Sequence, residues 1–251
     1  MLTVAPWVTP FAPETLGAFA LPEQAHAAVG TILLVRIAGE VGAAPGDDSP
    51  IPALVTGLRR RYPGSPVALW MPQAATQTVI DAVRAATRAQ VRAIVGGERP
   101  SPELVRNQLT DPAGLSAFIL RWASDAGYLP PGAEHDDVRA LLDAAPDVRT
   151  LNRLARERQV AARTWRSHLQ QLGLPTPRAW LALAHALHVA FFAQRHPDLP
   201  LQALAERLDL GSVATMNQRF QRVFGLSPGR VRAMLGAEPL LHRWFAQRVA
   251  R

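Results

Sequence analysis

Two sets of side chains in the second half of the chain carry groups that could do specific chemistry. Arg163, Arg166, Ser167 and Gln170 share the side of a helical-period segment opposite Trp165, and Val213, Ala214, Asn217, Gln218 and Gln221 lie opposite Phe220 in another. The chemistry these types share is hydrogen bonding to planar edges rather than bond breaking. A guanidinium forks onto O6 and N7 of guanine, an Asn or Gln amide pairs with N6 and N7 of adenine, and Val or Ala covers a thymine methyl. Arg219, Arg222, Arg230 and Arg232 flank the second set as candidates for phosphate, a contact that positions a protein on a duplex without reading sequence. For each of these residues the competing reading is a solvated helix face.

Groups for covalent or metal chemistry do not assemble in the same way. The chain has no cysteine, which excludes disulfides, thiolate metal sites and thiol nucleophiles. His185 and His188 have a spacing that can chelate a metal, but no carboxylate lies near them in sequence and their segment is largely apolar. Gly96-Gly97 follows an apolar run without the G-x-G-x-x-G spacing or a P-loop lysine, and neither G-x-S-x-G nor H-E-x-x-H occurs. Asp47 and Asp48 sit in a Gly/Pro stretch that reads as a solvated turn. No enzyme activity and no cofactor are therefore expected.

Charge separates the two halves of the chain. Of its 251 residues, 1–146 hold 11 Arg against 14 acidic residues, a net of −3, whereas 147–251 hold 16 Arg against six, a net of +10. A basic half beside a mildly acidic one fits a nucleic-acid-binding domain joined to an ordinary globular one, because clustered positive charge displaces counterions from phosphate. All 27 basic residues are Arg, whose planar fork suits phosphate and guanine edges. A hydrophobic content of 48% with mean hydropathy +0.02 fills real cores and excludes wholesale disorder. No run reaches the roughly 20 apolar residues of a membrane span. With a start, MLTVAPWVTP, that lacks a basic n-region, a soluble cytoplasmic protein is expected.

The elements that must position these side chains follow from periodicity. Residues 1–28, with prolines at 6, 10, 13 and 22, read as irregular apart from one short helix near Glu14 to Phe19. Thr31 to Ile37, Pro66 to Met71 and Val91 to Val95 are short apolar runs separated by helical segments at Ile51 to Tyr62 and Ala74 to Ala89. That alternation predicts a small parallel α/β sheet covered by helices, with further helices at Pro102 to Gln108 and Pro112 to Ala126. The α/β domain is assigned to 29–128 and a Pro/Gly linker to 129–135. Beyond it all segments are helical in period: Asp136 to Ala145, Val148 to Arg158, Ala162 to Leu172, Pro177 to Arg195, Pro200 to Leu208, Val213 to Phe224, Pro228 to Leu235, and Pro239 to Val249. The last of these, within 237–251, reads as a helix docked on the domain rather than on a membrane.

Leu151 to Val160 and Leu201 to Leu210 resemble each other at an offset of about 50 residues, with apolar positions at i, i+3, i+4 and i+9. Each precedes a tight turn and a second helix, the helix-turn-helix arrangement. Trp165, Leu169 and Leu172 form the expected inward stripe of the first unit, and Met216, Phe220 and Val223 or Phe224 that of the second. A helix from Pro177 to His196 would span roughly 30 Å, close to the ~34 Å between successive major grooves, so one chain could insert both second helices in tandem.

Ala203 to Pro228, ending in Phe224-Gly225-Leu226-Ser227-Pro228, resembles the second helix-turn-helix of the AraC/XylS transcription regulators, and the resemblance covers about residues 136–236. It departs from the family pattern at Asp209-Leu210, where Gly-Phe is usual, and in the short Leu172 to Pro177 connection. The resemblance implies an all-α domain with two helix-turn-helix units that acts on double-stranded DNA. It matches Arg163, Arg166 and Ser167, and then Val213, Ala214, Asn217 and Gln218, to base-reading positions. The α/β half is similar, at fold level only, to the latter part of a response-regulator receiver, a flavodoxin-like fold. Arg36, Met71 and Gly96 or Gly97 stand where the acceptor Asp, the Ser/Thr and the Lys are usual, so phosphorylation is not expected to switch it. The expected function is sequence-specific regulation of transcription, with the first domain serving homodimerisation or protein contact, RNA polymerase included. The alternatives are an interaction adaptor with a vestigial DNA-binding fold, or an α/β enzyme fused to one.

Overall fold

The computed structural model describes residues 2–7, 32–37, 50–71, 91–97, 101–129, 135–144 and 150–249. Four strands form one sheet in the order β1 (Leu2–Trp7), β2 (Ile32–Ile37), β3 (Val67–Met71) and β4 (Ala93–Gly96). β2, β3 and β4 run parallel, as the apolar runs predict, with Leu34 opposite Ala68 and Leu69 opposite Ile94. β1 corrects the expectation of an irregular start: it pairs antiparallel with β2, Val4 opposite Val35 and Pro6 opposite Leu33. Proline lacks the N–H that a central strand needs, and it is tolerated here because β1 is an edge strand. The helices anticipated at 14–19 and 74–89, and Asp47 and Asp48, lie outside the described residues.

Alternation within the strands sends side chains to both faces, and each face is covered. Leu33, Val35, Val67, Leu69 and Ile94 pack with Val55 and Leu58 of α1 (Pro50–Arg61). Ile32, Leu34, Ala68, Trp70 and Val95 pack with Val105 and Leu109 of α2 (Pro102–Leu109), and with Leu235 from far along the chain. Ser101 caps α2 by accepting from the Leu104 N–H, with Pro102 in the first turn.

The other described elements are helices: α3 (Leu115–Asp125), α4 (Asp136–Asp143), α5 (Leu151–Glu157), α6 (Ala162–Gln171), α7 (Pro177–Arg195), α8 (Leu201–Arg207), α9 (Val213–Phe224), α10 (Pro228–Ala233) and α11 (Glu238–Val249). Their large core does not divide at the compositional boundary near 129–135. Phe118, Ile119, Trp122 and Leu129 lie in the same cluster as Trp180, Phe220 and Trp244. α11 docks into this core as expected, with Leu240, Leu241 and Trp244 fully buried and the Trp180 and Trp244 rings 4.8 Å apart. No helix among the described residues is long and apolar enough to cross a membrane.

Polar contacts also join the sheet to the helical core. Arg59 of α1 donates to Asp125 of α3 at 2.8 Å with both side chains buried, and the guanidinium carbons of Arg59 and Arg92 each stand 5.1 Å from the Phe118 ring centre. Burial pushes the carboxyl of Glu238, at the start of α11, above the ordinary range, and the nearby Arg59 opposes that shift. Trp122 donates to the Pro63 carbonyl at 3.1 Å, and Arg195 of α7 donates to the Thr110 carbonyl at 2.9 Å.

Candidate nucleic-acid interface

The two similar segments fold alike. In the first, α5 ends in a turn where Gln159 has φ 54°, and Val160 N–H donates to Ala155 O at 3.0 Å. In the second, α8 ends where Asp209 has φ 50°, and Leu210 N–H donates to Ala205 O at 2.9 Å. The offset of 50 residues therefore holds for backbone conformation and hydrogen bonding as well as for residue type. Left-handed geometry at this turn favours glycine, with Asp and Asn among the better-tolerated alternatives.

The helix after each turn turns one side inward. Trp165 and Leu169 of α6 are buried, as are Met216, Phe220, Val223 and Phe224 of α9. Leu172 does not complete the first stripe: it stands one residue past the end of α6 and is 47% exposed. The chain is already leaving the helix there, so the i+7 spacing no longer places its side chain on the inner side.

On the outer side, Arg163, Arg166, Ser167 and Gln170 of α6 are all exposed, and so are Ala214, Gln218 and Gln221 of α9, with Val213 and Asn217 half-buried. The row on α6 thus coincides with the solvent side of its helix, while that on α9 does so at Ala214, Gln218 and Gln221, with Val213 packed in part against the large core. The four flanking arginines divide. Arg222 and Arg230 are exposed and Arg219 is half-buried. Arg232 donates through Nη1 to Pro197 O at 2.9 Å and through Nη2 to Leu199 O at 2.8 Å, so it braces the loop before α8.

α9 is secured at both ends. Ser212 accepts from the Thr215 N–H at 3.1 Å, a neutral cap that satisfies one of the open donors of the first turn. At the other end Gly225 adopts φ 64°, and a Cβ there would meet Gln247 Nε2 at 2.8 Å. Arg243 Nε and Gln247 Nε2 of α11 both donate to the Phe224 carbonyl, at 2.7 and 2.8 Å. These two supports were not anticipated, because nothing in local spacing links α11 to the end of α9. α6 is preceded by Ala161, which offers no side-chain cap, and is tied to α4 by His168 Nδ1 and Asp137 Oδ2 at 2.5 Å.

α7 joins the two helix pairs, and 19 residues make it roughly 28 Å long. His185 and His188 lie on it half-buried. Burial, then the neighbouring His185, holds the His188 imidazole below its ordinary value. No group of three or more metal-ligating side chains forms among the described residues. No family model matches this chain, and neither a curated protein nor a solved structure does. The functional reading therefore rests on the geometry of the two helix pairs and on their charge.

Proposed function

We propose that this protein is a sequence-specific double-stranded DNA-binding regulator of transcription of the AraC/XylS type, acting in the cytoplasm and inserting α6 and α9 into successive major grooves. One observation carries the reading: two helix pairs of the same build each expose a row of base-competent side chains, and a single helix of near-groove-repeat length joins them. The net charge of +10 on residues 147–251 supports it. In this reading Arg163 and Arg166 supply charge and guanine recognition from α6, while Asn217 and Gln218 supply neutral readout from α9. The amino-terminal sheet, of truncated receiver-like type, serves self-association or contact with another protein such as RNA polymerase.

The test is selection of bound fragments from random duplex by the full chain, followed by affinity measurement across a salt series. A selected sequence bound far more tightly than random duplex, with a steep salt dependence, is the expected result. Arg163→Ala should lower the salt slope by about one, while Asn217→Ala should relax sequence preference with the slope unchanged. A chain that binds no duplex even at ~50 mM salt is not a DNA-binding regulator.

A further inference from the structure

The outer rows of α6 and α9 leave part of the exposed positive charge unused. Between the two helices lies a cleft of about 570 Å³, with Arg166 of α6, Arg178 of α7, and Arg219 and Arg222 of α9 among its lining residues. Among the described residues none that lines it is acidic, and Leu181, Ala182 and Val223 supply apolar wall. Arg166, Arg178 and Arg222 are exposed, and among the described residues none of the three makes an ion pair or hydrogen bond. Other arginines are committed, Arg59 to Asp125 and Arg153 to Glu157, and Arg195, Arg232 and Arg243 to backbone carbonyls; Arg163 and Arg230 are exposed like the three in the cleft but do not line it.

Three arginines on three separate helices thus line one concavity that has no acidic side chain among its described lining residues. Low-dielectric walls focus such a field and favour an anion within it. Arg178 sharpens the point, because it lies in the first turn of α7, where the helix dipole is already positive and a cation is disfavoured unless an anion stands nearby.

We infer that this cleft is a phosphodiester clamp, gripping the backbone of the duplex between the two recognition helices, with Arg178 as a sequence-independent contact. The inference rests on the DNA-binding reading. If α6 and α9 occupy successive major grooves, the strand facing α7 is the intervening backbone, and its phosphates meet Arg178 and Arg222, with Arg166 at the groove edge adding to the field while its guanidinium reads a base. Arg178 was not among the residues singled out by the sequence, because it is on the connecting helix and outside both outer rows.

The experiment uses the full chain, a selected duplex and a random duplex, each about three helical turns long, titrated across salt. Arg178→Ala should weaken both duplexes equally, by about three- to tenfold at low salt, and reduce the salt slope by about one. Arg178→Lys should restore the slope, since a point charge still neutralises a phosphate. Circular dichroism of both variants should match the parent, because the side chain is exposed and unpaired. Unchanged affinity and slope in Arg178→Ala, while Arg163→Ala still weakens binding, would overturn the clamp and leave the DNA-binding reading standing. Loss confined to the selected duplex would make Arg178 a base reader and likewise overturn it. Inorganic phosphate or a mononucleotide supplies the other source of the same chemistry. Saturable, Arg178-dependent binding of either that duplex does not displace would make the cleft a small-anion pocket. Failure of the parent to bind any duplex removes the reading and the clamp together.

Discussion

At the residue scale, two positions hold conformations or charges that cost free energy. Gln159 sits at φ 54° with no glycine to relieve it, and left-handed geometry costs an ordinary residue roughly 1–2 kcal/mol. Its side chain is exposed, so Gln159→Gly should raise unfolding free energy by about 0.5–1 kcal/mol once the greater freedom of the unfolded glycine is subtracted. Urea titration checks this, and a loss of stability would show that the turn is not strained. The buried Arg59–Asp125 pair is the opposite case. Removing Arg59 leaves the buried Asp125 carboxylate with only the half-exposed Arg121, 3.1 Å away, as its ion-pair partner, so Arg59→Met should lower stability by up to about 3–5 kcal/mol. A loss below ~1 kcal/mol in chemical unfolding would mean that Arg121 or water compensates Asp125 and that the Arg59 pair does not join the sheet to the helices.

At the element scale, the two candidate recognition helices are built to different standards. α9 has a serine cap, a left-handed glycine exit and two donors from α11 on its last carbonyl, whereas α6 has Ala161 at its cap position and no side-chain cap. Ser212→Ala should therefore cost about 1 kcal/mol, and Ala161→Ser should add about 0.5–1 kcal/mol, because Ala161 already has the extended backbone of a cap. Thermal unfolding of the two variants measures both signs. Amide exchange should show the first turn of α6 opening more readily than that of α9, and Ala161→Ser should narrow the difference.

At the scale of the whole molecule, sheet and helices share one structural fate. A fragment starting at residue 132 would lack Phe118, Ile119, Trp122 and Leu129 of the large core. Since each large aromatic removed from a core costs about 3–5 kcal/mol and a domain holds only about 5–15 in total, that fragment should show no cooperative unfolding transition. A sharp transition in near-ultraviolet circular dichroism would show that residues 132–251 fold alone. Acid should also weaken the protein through two histidines. Burial lowers His242, and burial followed by the neighbouring His185 lowers His188, below the ordinary value of 6.5. The unfolded chain therefore takes up protons first, and their contribution is present above that value and lost as pH falls through the lowered ones. Glu238, shifted upward by burial, works in the other direction, so the informative quantity is a difference between proteins. His188→Asn combined with His242→Asn should shrink the stability gap between about pH 7.5 and pH 5. An unchanged gap would assign the acid sensitivity to other groups.

The sequence by itself determined the elements whose signals are local. Apolar runs marked β2, β3 and β4, helical periodicity and the proline and serine signals placed α2, α7 and α9 within a residue or two, and the 50-residue offset identified the paired helices before any coordinates. It also separated the inner from the outer side of α6 and α9, because burial follows the 3.6-residue period wherever the helix is regular; Leu172 failed where the helix stopped. The tertiary structure alone decided what depends on residues far apart in the chain. β1 carries a proline that argues against a strand, and only an edge position beside β2 makes it one. The compositional break near 129–135 is not a gap in the core, since the rings of Trp122 and Phe245 stand 6.0 Å apart across more than a hundred residues. Arg232 and Arg178 look alike in the sequence as arginines of a basic half, yet one is half-buried and held by the carbonyls of Pro197 and Leu199 and the other opens onto the cleft. Charge and periodicity are properties of a segment; the partner that satisfies a guanidinium is a property of the packing, and no local pattern encodes it.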